Sequence, residues 1–324
     1  MVLSIPWLSK RRVKSGRIGL AIGPDGWAVA CIDAGGRLTY SEFHNQPANS
    51  RQLLADLVAE HGWQDIPCSV VLHPVYYQLL LAETPPVEVD ELPAAIRWKI
   101  KELLDYPLEE AAIEHFLLPD DAYRGRQKML YAAALRKTAL QDLIDPVEVS
   151  GLQVDCVEIA ELALHNIISR MPREGGGIAL VQLHEGEGFI NLVEDGAIYL
   201  TRHLDIGLEK FTMEGNNTVF FDSLSLEIQR SLDYYESQLG KGIITRLFYS
   251  PGLTETAAIG EFLSAQLGLN VAPLDLSAFD LLEGGLFGGD LFEDEVDEQA
   301  LRCISAIGVA LGPCKELELV SAAS

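Results

Sequence analysis

IGLAIGPDGWAVACIDAGGRLTY at residues 18–40 and ALVQLHEGEGFINLVEDGAIYLT at residues 179–201 decide the fold, because they are one layout written twice. They superpose without a gap at a constant offset of 161 positions, 18 on 179 and 40 on 201. Each opens with a short apolar strand, Ile18 to Ile22 in one and Ala179 to Leu183 in the other. A glycine turn follows: Gly23-Pro24-Asp25-Gly26 in the first, Glu185-Gly186-Glu187-Gly188 in the second. A second apolar strand, an acidic-glycine turn with Gly35 matched to Gly196, and a third strand complete both. Apolar runs bounded by Gly and Asp turns read as antiparallel strands. A meander repeated half a chain apart marks a two-lobed α/β protein built by duplication. Short β-meanders share some of this layout anyway; the gapless register favours duplication.

The chain has 324 residues, 48% of them hydrophobic, enough for two sizeable cores. Cys31, Cys68, Cys156, Cys303 and Cys314 are odd in number and never spaced as CxxC, which suits reduced thiols and gives no metal site. No apolar run approaches the roughly 20 residues of a bilayer span, and no signal peptide is visible, so a soluble protein is expected. A net charge of −24 argues against a nucleic-acid partner, whose phosphates need a basic face.

That charge is unevenly placed. Residues 1–17 hold Lys10, Arg11, Arg12, Lys14 and Arg17 and no acid, which leaves 19 basic against 48 acidic residues elsewhere, a net −29. Trp7 sits just ahead, in MVLSIPWL. An apolar, Trp-containing segment followed by cations is suited to an anionic membrane surface. A disordered arm over 1–16 is the other reading.

Between the meanders, Ser50 to His61 reads as an amphipathic helix on Leu53, Leu54, Leu57 and Val58, stopped by Gly62. This completes the first part of lobe 1, residues 17–75, together with a buried strand from Cys68 to His73. Val75 to Ala82 is a further extended segment, and Pro85-Pro86 breaks it. Residues 76–149 then read as an α+β insert. It has a helix with a stripe of Leu92, Ile96, Ile100, Leu103 and Leu104, strands at 113–118 and 129–135, and a closing helix at 137–149. Residues 150–177 are expected to be a return helix, 155–171, and a glycine hinge. Lobe 2 spans 178–298: a helix at 222–239, a strand at 243–249, a turn at Ser250-Pro251-Gly252 and a helix ending at Leu267. Its segment 275–298, with nine acids and no Lys or Arg, reads as a solvated loop. A final helix, 298–311, leads into the C-terminal tail, so that 299–324 closes the chain.

Several segments resemble the PilM proteins of type IV pilus and type II secretion machines. They are AIRWKIKELLDYPLEEAAIEHFLL (95–118), YLTRHLDIG (199–207), EIQRSLDYY (227–235) and ISAIGVALG (304–312). The degenerate sequence and basic, Trp-containing start look most like the MshI branch, from mannose-sensitive haemagglutinin (MSHA) pilus biogenesis. The resemblance covers nearly the whole chain; 95–118 and 227–235 are its most specific parts. It implies a two-lobed actin-like fold (a duplicated ribonuclease H-like unit) of the actin, Hsp70 and sugar-kinase superfamily, with 76–149 as a 1C-type insert. It also implies a cytoplasmic platform component, peripherally associated with the inner membrane, that grips the N-terminal tail of a PilN-like inner-membrane protein. An Asn-Leu-Leu-Pro-like tail segment would lie in a groove between lobe 1 and the insert. Tyr76, Tyr77 and Trp98, large aromatics in or beside the insert, are the candidate groove residues; a core role stands beside the groove role for Tyr76 and Tyr77. The chain's own Leu3–Leu8 resembles such a tail, which suggests self-association through the same groove.

The resemblance further implies ATP, and here the residues object. In that superfamily two turns hold the phosphates by backbone N–H groups, and an Asp on each first strand organises Mg²⁺ and water. Against a G-I-D-I-G pattern this chain has Gly19-Leu20-Ala21-Ile22-Gly23, so the Asp is Ala21. Against V-D-I-G it has Val181-Gln182-Leu183-His184. The glycine pair of an adenosine loop is Pro251-Gly252. With Gly26, Gly186 and Gly188 in the turns, these positions describe a degenerate nucleotide cleft. Neither Ala nor Gln supplies a carboxylate to a metal's water shell, and His184 puts a side chain where phosphate must approach backbone. Asp25, Glu185 and Glu187 would repel a triphosphate. The expectation is no cofactor, no catalytic residue and no metal, with weak ATP/Mg binding as the alternative.

Other constellations carry less. His44, His61 and His73 lack ligand spacing, Glu109-Glu110 and Glu293-Asp294-Glu295 read as solvated faces, and no Ser has a His partner. An adaptor is therefore expected; an ATPase or kinase using other residues, or a filament-forming protein, are the competing classes.

Overall fold

The computed structural model describes residues 16–45, 49–123, 128–170, 175–211, 217–251, 256–274, 276 and 298–312. Trp7, Lys10, Arg11, Arg12, Lys14, Gly252 and nearly all of the acidic segment 275–298 lie outside them.

The first meander is β1 (Arg17–Ile22), β2 (Gly26–Ile32) and β3 (Leu38–Asn45). Helix α1 (Ser50–His61) starts where the Asn49 side chain accepts from the Gln52 N–H, and it stops at Gly62, which takes φ 66°. Strand β4 (Pro67–Leu72) returns parallel to β1. A single 3-10 turn, Pro74–Tyr76, leads to the insert: β5 (Gln78–Glu83), α2 (Leu92–Ile100), β6 (Ala111–Leu117) and β7 (Met129–Arg136). Its three strands pair antiparallel in the order β5-β7-β6. Leu92, Ile96 and Ile100 of α2 cover one face of that sheet.

Helix α3 (Lys137–Val149), β8 (Gln153–Ile159) and α4 (Ala160–Ile168) bring the chain back through lobe 1. The second meander is β9 (Ile178–Leu183), β10 (Gly188–Glu194) and β11 (Ala197–Leu204). Then come α5 (Thr218–Ser237), β12 (Arg246–Ser250), α6 (Ala257–Leu267), β13 (Asn270–Pro273), α7 (Glu298–Arg302) and α8 (Ile304–Leu311).

The duplication extends beyond the meanders. The two large sheets have the orders β3-β2-β1-β4-β8 and β11-β10-β9-β12-β13, with the first three strands antiparallel and the last three parallel in each. Side chains keep the 161-residue register as well. Ile18, Leu20 and Ile22 face the outer core of lobe 1 beneath α1 and α3. Ala179, Val181 and Leu183 face the outer core of lobe 2 beneath α5 and α6. The inner faces share one core: Ala28, Ala30 and Val71 from one sheet and Leu180, Phe189 and Val193 from the other meet across α4 and α8.

Four expectations are corrected. Residues 155–171 are not one helix: 153–159 form β8, buried at Val154, Cys156, Val157 and Ile159 beside β4, and only 160–168 are helical. The helix at 137–149 does not close the insert alone: Leu140, Ile144 and Val147 pack into the lobe 1 core, together with Leu135 of β7. The helix over 298–311 is interrupted at Cys303. Arg17, grouped by charge with the basic arm, instead sits in β1, where its guanidinium binds Asp155 at 2.8 Å and the Ser69 hydroxyl at 2.7 Å. Strand β13 had no reading at all.

The insert also reaches lobe 2. The Tyr131 hydroxyl donates to the Thr201 carbonyl (2.9 Å) and accepts the Thr201 N–H (3.2 Å), while Asp121 takes the Tyr199 hydroxyl and pairs with Lys241. The two lobes are thus joined through α4 and α8 at the back and through the insert at the side.

Candidate functional site: the cleft between the lobes

The carboxyl ends of β1, β4, β9 and β12 converge on a cavity of about 400 Å³ between the two glycine turns. This is where open parallel sheets generally present ligand sites. Register puts Ala21 between Ala28 and Val71 on the lobe 1 wall. It puts Gln182 between Phe189 and Ser250 on the lobe 2 wall. The lobe 1 wall is apolar at the positions where lobe 2 carries an amide and a hydroxyl. The Gln182 amide nitrogen donates to the Ser305 hydroxyl of α8 at 3.1 Å.

Two imidazoles close one end. His73 and His184, at the ends of β4 and β9, meet edge to face with centroids 4.2 Å apart. His73 Nδ1 accepts the Val75 N–H at 3.2 Å, which leaves the ring proton on Nε2. Burial, helped by nearby His203, pulls His73 down to about 4, and burial with the His73 contact holds His184 well below its ordinary range. Both rings are neutral at physiological pH. Burial raises the Asp25 carboxyl, against the lowering effect of the Glu185 backbone N–H that it accepts.

A nucleoside triphosphate with magnesium does not fit these residues. The inner-facing positions of β1 and β9 are Ala21 and Gln182, neither an anionic ligand. Three N–H groups of the two turns are engaged within the protein: Gly23 N–H on the Gly26 carbonyl, His184 N–H on the Glu187 carbonyl, and Glu185 N–H on Asp25. The glycines of the turns have local reasons. A Cβ on Gly26 would lie 2.4 Å from the His44 carbonyl, and one on Gly188 would lie 2.5 Å from that of Gln182.

Of the residues singled out in sequence, Ala21, Gly23, Gly26, Gln182, His184 and Pro251 line the cavity. Gly186 and Gly188 belong to the adjoining turn. His73, Ser250 and Ser305 went unread as site residues; their one signal is position at a strand or helix end, visible only once strand order is known. The three aromatics are not gathered. Tyr77 is turned inward, its hydroxyl donating to Glu161 and accepting the Ala160 N–H. Tyr76 is half-buried against the lobe 1 core. Trp98 stands 68% exposed on the outer face of α2 with the Lys101 ammonium 5.2 Å from its ring.

No protein-family model matches the chain, and no curated protein matches it in sequence. Solved structures do. The chain is similar to the PilM-PilN type IV pilus biogenesis complex, with a TM-score of 0.72 at 17% identity, covering 93% of this chain and 98% of that one. It is also similar to a Bacteroides thetaiotaomicron protein with an actin-like ATPase fold and unknown function (TM-score 0.51, 9% identity, 80% and 90% covered). The fold is actin-like. Within it, the cleft just described occupies the interlobe position, and among the described residues no helix is long and apolar enough to cross a membrane.

Proposed function

We propose that this chain is a non-catalytic adaptor of a type IV pilus assembly machine of the MSHA type. It would work in the cytoplasm at the inner membrane, gripping the cytoplasmic tail of a PilN-like membrane protein. The observation that carries the reading is an end-to-end likeness to a PilM fold combined with an interlobe cleft lacking both metal-organising carboxylates. A protein that keeps the scaffold while Ala21 and Gln182 replace those groups has kept its surfaces and not the chemistry.

The insert is the proposed gripping element. Leu92, Ile96 and Ile100 spend the inner stripe of α2 on the sheet, and that leaves Trp98 with Val89 (85% exposed) and Leu103 (54% exposed) on the solvent side. Large exposed aromatics of this kind anchor peptides, a hot-spot residue contributing about 2 kcal/mol or more. Tyr77, with its hydroxyl committed to Glu161, has no part in it. Leu3–Leu8 is proposed to compete for the same surface, in this molecule or a neighbour. Titrating a fluorescent peptide from the tail of a PilN-like protein tests the reading. The expected result is micromolar binding, weakened at least about 30-fold by Trp98→Ala with an unchanged melting temperature. Full-strength binding by that variant would place the partner elsewhere, and no binding by the wild type would remove the adaptor reading.

A further inference from the structure

Among the described residues, ten buried side-chain polar atoms have no hydrogen-bond partner, and four of them belong to residues lining the one cavity described above. They are His73 Nε2, His184 Nε2, Gln182 Oε1 and Ser250 Oγ. Ser250 is fully buried and Gln182 is 5% exposed. Native interiors leave few such atoms unsatisfied, and a cluster of them around one cavity requires explanation. Packing alone does not account for it. The Gln182 amide is held by Ser305 through its nitrogen, so its oxygen is held in place as well. Ser250 lies beside it in the β9–β12 register, on the same face of the sheet.

We propose that this cleft binds an uncharged small molecule carrying an amide- or amidine-like edge, in place of the phosphorylated nucleotide that an actin-like cleft would suggest. The class follows from the walls. Gln182 Oε1 accepts and the Ser250 hydroxyl does either, so a donor adjacent to an acceptor complements the pair. Opposite them, Ala21, Ala28, Val71 and Ile304 present an apolar surface to the flat body of such a ligand. His73, with its proton on Nε2, adds one donor from the end of the cavity. Anions are disfavoured there: the imidazoles are neutral, and the charged side chains lining the opening are the acids Asp25 and Glu185 against one exposed cation, Arg302. A carboxylate or phosphate would give up its water against two carboxylates and a single exposed cation.

The inference presupposes the degenerate cleft of the proposed adaptor but not its peptide grip. Matched probes test it on the full-length protein by calorimetry: nicotinamide against nicotinate, uracil against orotate, and adenosine against Mg-ATP. At least one uncharged member is expected to bind at millimolar concentration or tighter, with its anionic counterpart at least about tenfold weaker. Ser250→Ala and Gln182→Leu should each weaken that binding by about tenfold, one net hydrogen bond apiece. Peptide binding, read in parallel, should be untouched in both variants. Silence from all three uncharged probes overturns the inference and leaves the adaptor standing. Preference for any anionic member overturns it as well, and tight Mg-ATP binding would overturn the degenerate-cleft reading with it. Should one variant unfold, the other decides: undiminished binding places the ligand elsewhere and refutes the site.

Discussion

Glu161 sits in the first turn of α4, 4% exposed, where its carboxyl takes the Tyr77 hydroxyl. Burial pushes it up to about 7 from an ordinary 4.5, outweighing the lowering effect of the Tyr77 bond. Between those values the folded protein binds the proton that the unfolded chain releases, so stability falls as pH rises from about 4.5 to 7. Glu161→Gln keeps an acceptor for Tyr77 and cannot ionise. At pH 8 it should stabilise the protein by an amount on the order of 3 kcal/mol, and at pH 4 by almost nothing. Urea unfolding at both values checks this; equal effects at the two would mean the carboxyl is not protonated in the fold. His73 acts in the opposite sense. Its neutral form is favoured by burial, so stability is lost as pH falls from 6.5 towards 4, and that limb should survive in the Glu161 variant. The Glu–Tyr contact was beyond sequence reasoning, since its partners are 84 positions apart.

At the scale of elements, α8 is the piece that makes two lobes one body. All eight residues of Ile304–Leu311 are buried, and a helix apolar all round belongs inside. It crosses α4 so closely that a Cβ on Gly308 would lie 2.1 Å from the Ala163 carbonyl, a backbone atom that has no way to swing aside. Gly308→Ala should therefore cost 1–3 kcal/mol or more by forcing the helices apart. Because the core on either side is shared, chemical denaturation should show that loss as one shifted transition for both lobes. Two separated transitions would show instead that the lobes unfold independently. The apolar run was legible in sequence, as was α1 with its stop at Gly62; the Asn49 cap is seen in the structure. Strand β8 was not. Its Val154, Cys156, Val157 and Ile159 precede a true helical repeat at Ala160, Ala163, Leu164 and Ile167, so one period was extended over both. What makes 153–159 a strand is pairing with β4, a neighbour about 86 residues upstream.

Across the whole molecule, charge is unevenly distributed along the chain. Beyond residue 17 the chain carries net −29, and Arg17 is held by Asp155 in β1. An acidic body repels an anionic bilayer, so attraction would have to come from Lys10, Arg11, Arg12 and Lys14 with Trp7. At roughly 1 kcal/mol per cation near the surface, four cations and an interfacial Trp suffice for reversible binding. The full chain should co-sediment with anionic vesicles and not with neutral ones, more weakly at high salt. Deleting residues 1–15 should abolish that without altering the melting temperature. Equal sedimentation of the truncated chain would assign the first residues no role at the membrane.

The duplication, both meanders, the helices at 50–61 and 137–149, and the uncharged residues Ala21 and Gln182 at matched strand positions were determined by the sequence alone. Each is local: a repeat spacing, a cap, or the identity of one residue at one strand position. The tertiary structure alone decided the fifth strand of each sheet, the inward turn of Tyr77 with Trp98 left outside, and the meeting of His73, Gln182, Ser250 and Ser305 around one cavity. Those residues stand on four elements up to some 230 positions apart. Nothing in the periodicity of any one element records which others pack beside it, because that choice is made by burying two sheet faces against shared helices.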